Sequence, residues 1–180
     1  MRRALASRNA IRIETALFED DGRVPNSRLP AIIYRGAIEP DAQDPARAFE
    51  RKFAGNDWRG SWRWSIFTFH HYHSTSHEVL GVAVGHATLR LGGRKGRDFD
   101  VAAGDVIALP AGTGHKRIAS SPGFLVVGAY PEGRERDLIK PYATSGTVHD
   151  AALSRIAAVP CPKFDPVQGK EGAVTRLWKR

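Results

Sequence analysis

The 180-residue sequence has one cysteine, Cys161, set between Pro160 and Pro162. No internal disulfide can form, so the fold must be stable with its thiol reduced, and a cytoplasmic setting is the expectation. A thiol between two prolines, with no partner residue nearby in sequence, also argues against a cysteine nucleophile. No apolar run approaches the length that spans a bilayer, which excludes a membrane-spanning helix as the organising element. Residues 1–9, Met1-Arg2-Arg3-Ala4-Leu5-Ala6-Ser7-Arg8-Asn9, carry the positive start of a signal peptide without the apolar stretch that would complete one. There is no internal repeat, no low-complexity linker, and no glycine-rich loop placed between a strand and a helix to cradle phosphate.

Acidic residues are the minority charge, 19 Asp and Glu against 27 Lys and Arg, for a formal net charge of +8. The basic residues run from Arg2 to Arg180 in short groups without a nucleic-acid motif, which describes a solvated basic surface and not a nucleic-acid interface. An acidic small molecule or an acidic partner fits the same charge. At 42% hydrophobic and 26% charged residues the composition is that of an ordinary globular protein, long enough to bury a core as one domain over 1–180.

Residues 11–18 alternate loosely and read as a first strand, and Ala31-Ile32-Ile33-Tyr34 is a short run buried on both faces or lying over another sheet. Asp44-Pro45 has the form of a helix start, with Asp as N-cap and Pro at the first helical position. Ala46, Phe49 and Phe53 follow at helical spacing up to Gly55, predicting a helix over about 45–54 whose aromatic stripe packs on a sheet. Trp58, Trp62 and Trp64 are expected to cover the outer sheet face and the helix, with a place on a pocket rim open to one of them. From Trp64 to Tyr130 the chain is strands and Gly-rich turns: 78–84, 88–91, 99–101, 106–109, 115–119 and 124–130. Beyond Pro131 come a charged stretch over 132–140, a short helix near 150–158, a Pro-rich extended tail, and a last segment, 173–178, that could add a strand.

Residues 67–73, read as a strand, put Phe67, Phe69, His71 and His73 on one face and His70 on the other. In the next strand Glu78, Leu80, Val82 and Val84 share a face, so a carboxylate opens an apolar stripe, which is costly unless a positive group sits against it. His115 follows Pro110-Ala111-Gly112-Thr113-Gly114, a tight turn. Three imidazoles and a carboxylate, with no thiolate, suit a divalent Fe, Mn, Co, Ni, Cu or Zn ion. His70 and His77 read as outside that ligand set.

His71-x-His73-x4-Glu78-x6-Gly85 and Gly104-x5-Pro110-x-Gly112-x2-His115 match the two sequence motifs of the cupins, and the chain resembles that superfamily. Within it the sequence is similar to the bacterial YjlB-like group through the run His71-Tyr72-His73-Ser74-Thr75-Ser76-His77-Glu78-Val79-Leu80-Gly81. The resemblance implies a mainly all-β jelly-roll barrel with a motif core at about 62–131, an N-terminal arm and helix over 1–61, and a C-terminal helix and tail over 132–180. It implies His71, His73, Glu78 and His115 as ligands of one divalent transition metal with open positions for a ligand, and a homodimer. One position departs from the pattern: the Asn that usually closes the second motif is Ala119, which is expected to take a polar group from the barrel lining.

The function expected from this is a metal-dependent enzyme of dioxygenase, isomerase or decarboxylase type acting on a small metabolite, an anionic one among the candidates. The other reading is a non-catalytic cupin that binds a small ligand or a metal. The residues single out no general acid or base. Alternation from His115 places Arg117 on the same face, as a substrate-binding cation, the other reading being that the strand ends soon after His115 and Arg117 reaches solvent at the rim.

Overall fold

The computed structural model describes residues 11–143 and 145–179, so the residues 1–9 considered above as a leader lie outside the described residues. Strands β1 Arg12–Ala16, β2 Ala31–Arg35, β3 Trp58–Trp64, β4 Glu78–Val84, β5 His86–Leu91, β6 Arg97–Ala102, β7 Val106–Leu109, β8 His115–Ser120 and β9 Leu125–Pro131 form two sheets. One has six strands in the order β1-β2-β7-β4-β9-β3, the other three in the order β6-β5-β8, and their pairings are antiparallel. This is the expected mainly-β jelly roll. Helices α1 Pro45–Gly55, α2 Gly146–Ala158 and α3 Ala173–Leu177 decorate it. Among the described residues no helix is long and apolar enough to cross a membrane.

The four central strands of the six-stranded sheet, β2, β7, β4 and β9, are buried on both faces, which explains why β4 reads as a nearly unbroken apolar run. Leu80 and Val82 point between the sheets with Ile33, Ile107, Leu89, Leu91 and Val126. Val79 and Ala83 point the other way, under Phe49 and Phe53 of α1. Full burial of those two rings contributes about 2–3 kcal/mol each. A register shift between Val82 and Val84 in the β4–β9 pairing sends Val84 to the helix side, so the single face expected from 78 to 84 ends at Val82.

Helix α1 starts where Asp44-Pro45 predicts, but Asp44 does not cap it with its side chain. Both of its carboxylate oxygens instead accept from the Arg63 guanidinium, at 2.9 Å each. Two further expectations are corrected. Residues 67–73 form no continuous strand: the chain bends at Thr68 and Phe69, then His71 bridges to His115 and Tyr72 to Ile139, so the segment passes from one neighbour to another. The last segment is α3 and adds no strand, because its residues Ala173 and Val174, followed by Trp178, pack on the helix-side core.

The C-terminal tail is fastened by a buried carboxylate. Asp165 is fully buried, its Oδ1 accepts from the backbone N–H of Val167 and Gln168 at 2.8 Å each, and its Oδ2 accepts from the N–H of Val174 at 2.8 Å and from the Tyr34 hydroxyl. Burial, and then the charge of Asp165, push the Tyr34 phenol up, so it stays protonated and donating. Trp178 adds a bond from its Nε1 to the carbonyl of Pro30 at 2.8 Å. Replacing Asp165 by Ala leaves these donors unpaired inside the protein and is expected to lower the unfolding free energy by roughly 3 kcal/mol or more. A urea titration measures this, and a midpoint equal to that of the parent would show that the clasp contributes nothing.

Candidate metal centre

Three pieces of backbone bring the motif side chains to one place. The β4–β7 register pairs Glu78 with Leu109, which sets the start of β4 beside the turn leading to β8. His71 and His115 exchange backbone hydrogen bonds, 3.1 Å from the His71 N–H and 2.9 Å from the His115 N–H. The turn is tied to the other histidine, since the Gly112 N–H donates to the His73 carbonyl at 2.8 Å. Gly112 has φ +92°, and a Cβ there would lie 2.3 Å from the Asn26 carbonyl oxygen, so the motif glycine is required by both conformation and space.

His71, His73 and His115 are buried, and each offers a ring nitrogen within 4.8 Å of the others. Their ring centroids lie 4.0 Å (His71 to His115), 5.6 Å (His71 to His73) and 5.7 Å (His73 to His115) apart. Glu78, also buried, places Oε2 3.3 Å from His115 Nε2 and 3.5 Å from His73 Nε2. Thus the structure brings together all four residues of the expected set, with Glu78 touching two of the three imidazoles.

The second nitrogen of each ring determines what the first can do. His71 Nδ1 faces the carbonyl of Phe69 at 3.2 Å, His115 Nδ1 that of Thr113 at 3.0 Å, and His73 Nδ1 that of Asp137. A carbonyl only accepts, so each Nδ1 carries the hydrogen and each neutral ring turns a bare Nε2 lone pair inward. Glu78 Oε2 is itself buried without a hydrogen-bond partner among the described residues. Four acceptors therefore converge on one buried space, an arrangement that a cation satisfies and a neutral solvent molecule does not. The residues fit a divalent ion of the imidazole-binding series.

Charge is already organised around this space. Burial opposes ionisation of Glu78, yet the adjacent His73 and His115 outweigh it and hold the carboxyl well below its ordinary range. Burial likewise lowers His73, but Glu78 beside it raises its pKa overall. His71 is pushed down to about 2, first by burial and then by the neighbouring imidazoles, and stays a neutral donor of its lone pair.

Two residues that sequence reading did not single out, Tyr130 and Asp137, and Trp62, one of the tryptophans considered for the pocket rim, support the centre. The Tyr130 hydroxyl donates to Glu78 Oε1 at 2.9 Å and accepts from Trp62 Nε1 at 2.7 Å. Trp62 lies flat over Gly128, where a Cβ would come within 2.1 Å of its ring. Asp137 gives its carbonyl to His73, and its carboxylate accepts from the Ser74 N–H at 2.6 Å and from the Ser74 hydroxyl. A period-two reading from Val126 through Gly128 would have pointed Tyr130 inward, whereas nothing in the charged stretch 132–140 distinguishes Asp137. The tryptophans divide: Trp58 is buried on the helix side, while a register shift between Arg59 and Trp62 turns Trp62 into the cavity and leaves Trp64, 68% exposed, at its mouth.

A cavity of about 490 Å³ opens above the four residues, walled by Trp62, Ile66, Phe67, Leu80 and Leu138 and edged by Arg63 and Arg136. Arg117 does not line it. Its Nε donates to the Ile66 carbonyl at 3.2 Å and its Nη1 to Ser120 Oγ, so the guanidinium is committed to the barrel end and not turned to the site. Ala119 is exposed and outside the lining, so the departure from the motif costs the cavity no polar group. His70 faces away, edge-on to Tyr142 at 5.3 Å between centroids, and burial, followed by the charges of Lys116 and Arg90, lowers its pKa. His77 is buried on the far side, accepting from the Ala111 N–H at 2.9 Å and packing on Trp178.

No protein-family model matches the chain. Over 168 residues it is 38% identical to the uncharacterized protein YjlB of Bacillus subtilis strain 168, covering 92% of this chain and 96% of that one. Solved structures with a partial likeness include an acireductone dioxygenase from Bacillus anthracis with a cadmium ion in its active centre (19% identity, TM-score 0.41, 52% of this chain and 65% of that one). Another is a single-substitution variant of the oxalate decarboxylase of B. subtilis (19% identity, TM-score 0.37, 74% of this chain and 32% of that one). With a relative matched end to end at this identity, and with its two motifs set on a jelly roll, the chain belongs to the YjlB family of cupins.

Proposed function

We propose that this protein is a metal-dependent enzyme of dioxygenase, isomerase or decarboxylase type, acting on a small organic metabolite in the cavity above His71, His73, Glu78 and His115. The observation that carries the reading is the convergence of three Nε2 lone pairs and Glu78 Oε2 on one buried space, with each Nδ1 hydrogen held by a backbone carbonyl. A divalent ion bound there supplies Lewis-acid polarisation or an oxygen-binding centre. The remaining work belongs to the chain. Leu80, Ile66 and Trp62 keep water from the floor of the cavity, and Tyr130, kept protonated by burial and the charge of Glu78, fixes Oε1 so that Oε2 faces the imidazoles.

Tyr130 also distinguishes the enzyme from the alternative, a cupin that holds a ligand or metal without turnover. It lines the cavity and sets a hydroxyl beside the centre, a polar group that a bound substrate meets, which favours the enzyme reading. A homodimer in the cytoplasm belongs to the same reading. It is supported by the unpaired Cys161 and by β3, an edge strand of the six-stranded sheet that leaves Trp64 exposed.

Metal analysis of purified protein by mass spectrometry tests the centre. His71→Ala, His73→Ala and His115→Ala are each expected to lose most of the bound metal while the barrel stays folded, and His70→Ala and His149→Ala to keep it. Full retention in His73→Ala would sink the assignment. Because the Asp137 carboxylate, bonded to the Ser74 N–H and hydroxyl, holds in place the backbone carbonyl that orients His73, Asp137→Ala is expected to weaken metal affinity by about ten-fold in a chelator competition, with a far-UV spectrum like the parent's. Light scattering at micromolar concentration that returned only monomer would remove the dimer.

A further inference from the structure

Two guanidinium groups edge the cavity, and their situations are opposite. Arg63 is neutralised: it gives four hydrogen bonds of 2.7 to 2.9 Å to the carboxylates of Asp44 and Glu50. Arg136 is exposed and, among the described residues, pairs with no carboxylate. Its Cζ lies 4.8 Å from the centroid of the Tyr130 ring, whose hydroxyl is bonded to Glu78. A guanidinium on that ring is held over the route to the metal centre by cation–π attraction and keeps its hydrogen-bonding fork free.

The segment carrying Arg136 is also fixed. Asp137 faces away from the cavity, accepting from Ser74 and, through its carbonyl, from His73, and its own N–H donates to Thr75 Oγ1 at 2.9 Å. The flanking residues Arg136 and Leu138 both reach the cavity, one charged and the other apolar. The chamber thus presents an uncompensated cation at the mouth, an apolar wall of Trp62, Phe67 and Leu138, and acceptors at the floor.

We infer that the cavity selects a small carboxylic acid with an apolar body, whose carboxylate pairs with Arg136 and whose body lies against Trp62, Phe67 and Leu138. One free guanidinium, with no second unpaired cation and no helix N-terminus in the lining, matches the two oxygens and single charge of a carboxylate better than the greater charge of a phosphate. The inference deepens the function proposed above, resting on it only for what the other end of the ligand meets.

The test uses phenylacetate and its neutral amide, phenylacetamide, titrated into the full chain, with binding read from the fluorescence of the cavity tryptophans and metal content measured on the same samples. Phenylacetate is expected to bind more tightly than the amide. Arg136→Gln should weaken phenylacetate by about ten-fold to a hundred-fold, leave the amide unchanged and leave metal content unchanged. Arg134→Gln, which removes a neighbouring cation outside the cavity lining, should bind both as the parent does. Protein that holds its metal but binds acid and amide equally, binds neither, or loses acid binding equally in both variants overturns this inference and leaves the metal reading standing. Protein without metal that still binds phenylacetate through Arg136 overturns the metal reading and supports this inference.

Discussion

Lone pairs aimed at one another in a dry interior repel, and this fold devotes much of its detail to holding four of them in that position. Each imidazole is locked by a carbonyl behind it, and those carbonyls come from three separate pieces of chain: Phe69 before the first motif, Thr113 in the turn before β8, and Asp137 after β9. Glu78 is locked by Tyr130, and Tyr130 by Trp62. The barrel is the scaffold that brings these remote segments into register. Without a cation the tension is eased by the ionised Glu78 favouring a proton on His73, the direction in which each of the two is shifted.

The four residues of the candidate site were legible in the sequence because their types and spacing match the two cupin motifs. Strand alternation correctly set His71 and His73 apart from His70, even though 67–73 bends at Thr68 and Phe69 and forms only isolated bridges, since the bridged residues His71 and Tyr72 keep the alternation of a strand. The same rule failed wherever a register shift intervened. Trp58 and Trp62 are four residues apart, an even spacing, yet the irregularity between Arg59 and Trp62 puts them on different sides of the sheet. Arg117 shares the face of His115 in the backbone, but its long side chain finds Ile66 and Ser120 before it finds the cavity. A bulge or a competing carbonyl is a tertiary fact without a local sequence mark.

The charged stretch after β9 was the least readable part and proves among the most consequential. Its composition describes a solvated loop, whereas its residues divide by alternate position: Asp137 fastens the first motif, and Arg136 and Leu138 shape the cavity mouth. The carbonyl that orients His73 thus belongs to the residue next to Arg136, so the cavity mouth and the first motif are tied to adjacent positions of the chain.

The buried clasp of the tail has a consequence for the order in which this protein can mature on the ribosome. Tyr34 in β2 waits for Asp165, 131 residues later, and the carbonyl of Pro30 waits for Trp178, 148 residues later. Until then the helix-side cluster around Tyr34 lacks the part of its cover that Val167, Ala173, Val174 and Trp178 supply, so a nascent chain keeps some of this core open through nearly all of its translation. A chain cut short before Asp165 would therefore carry a barrel with its outer wall unfinished.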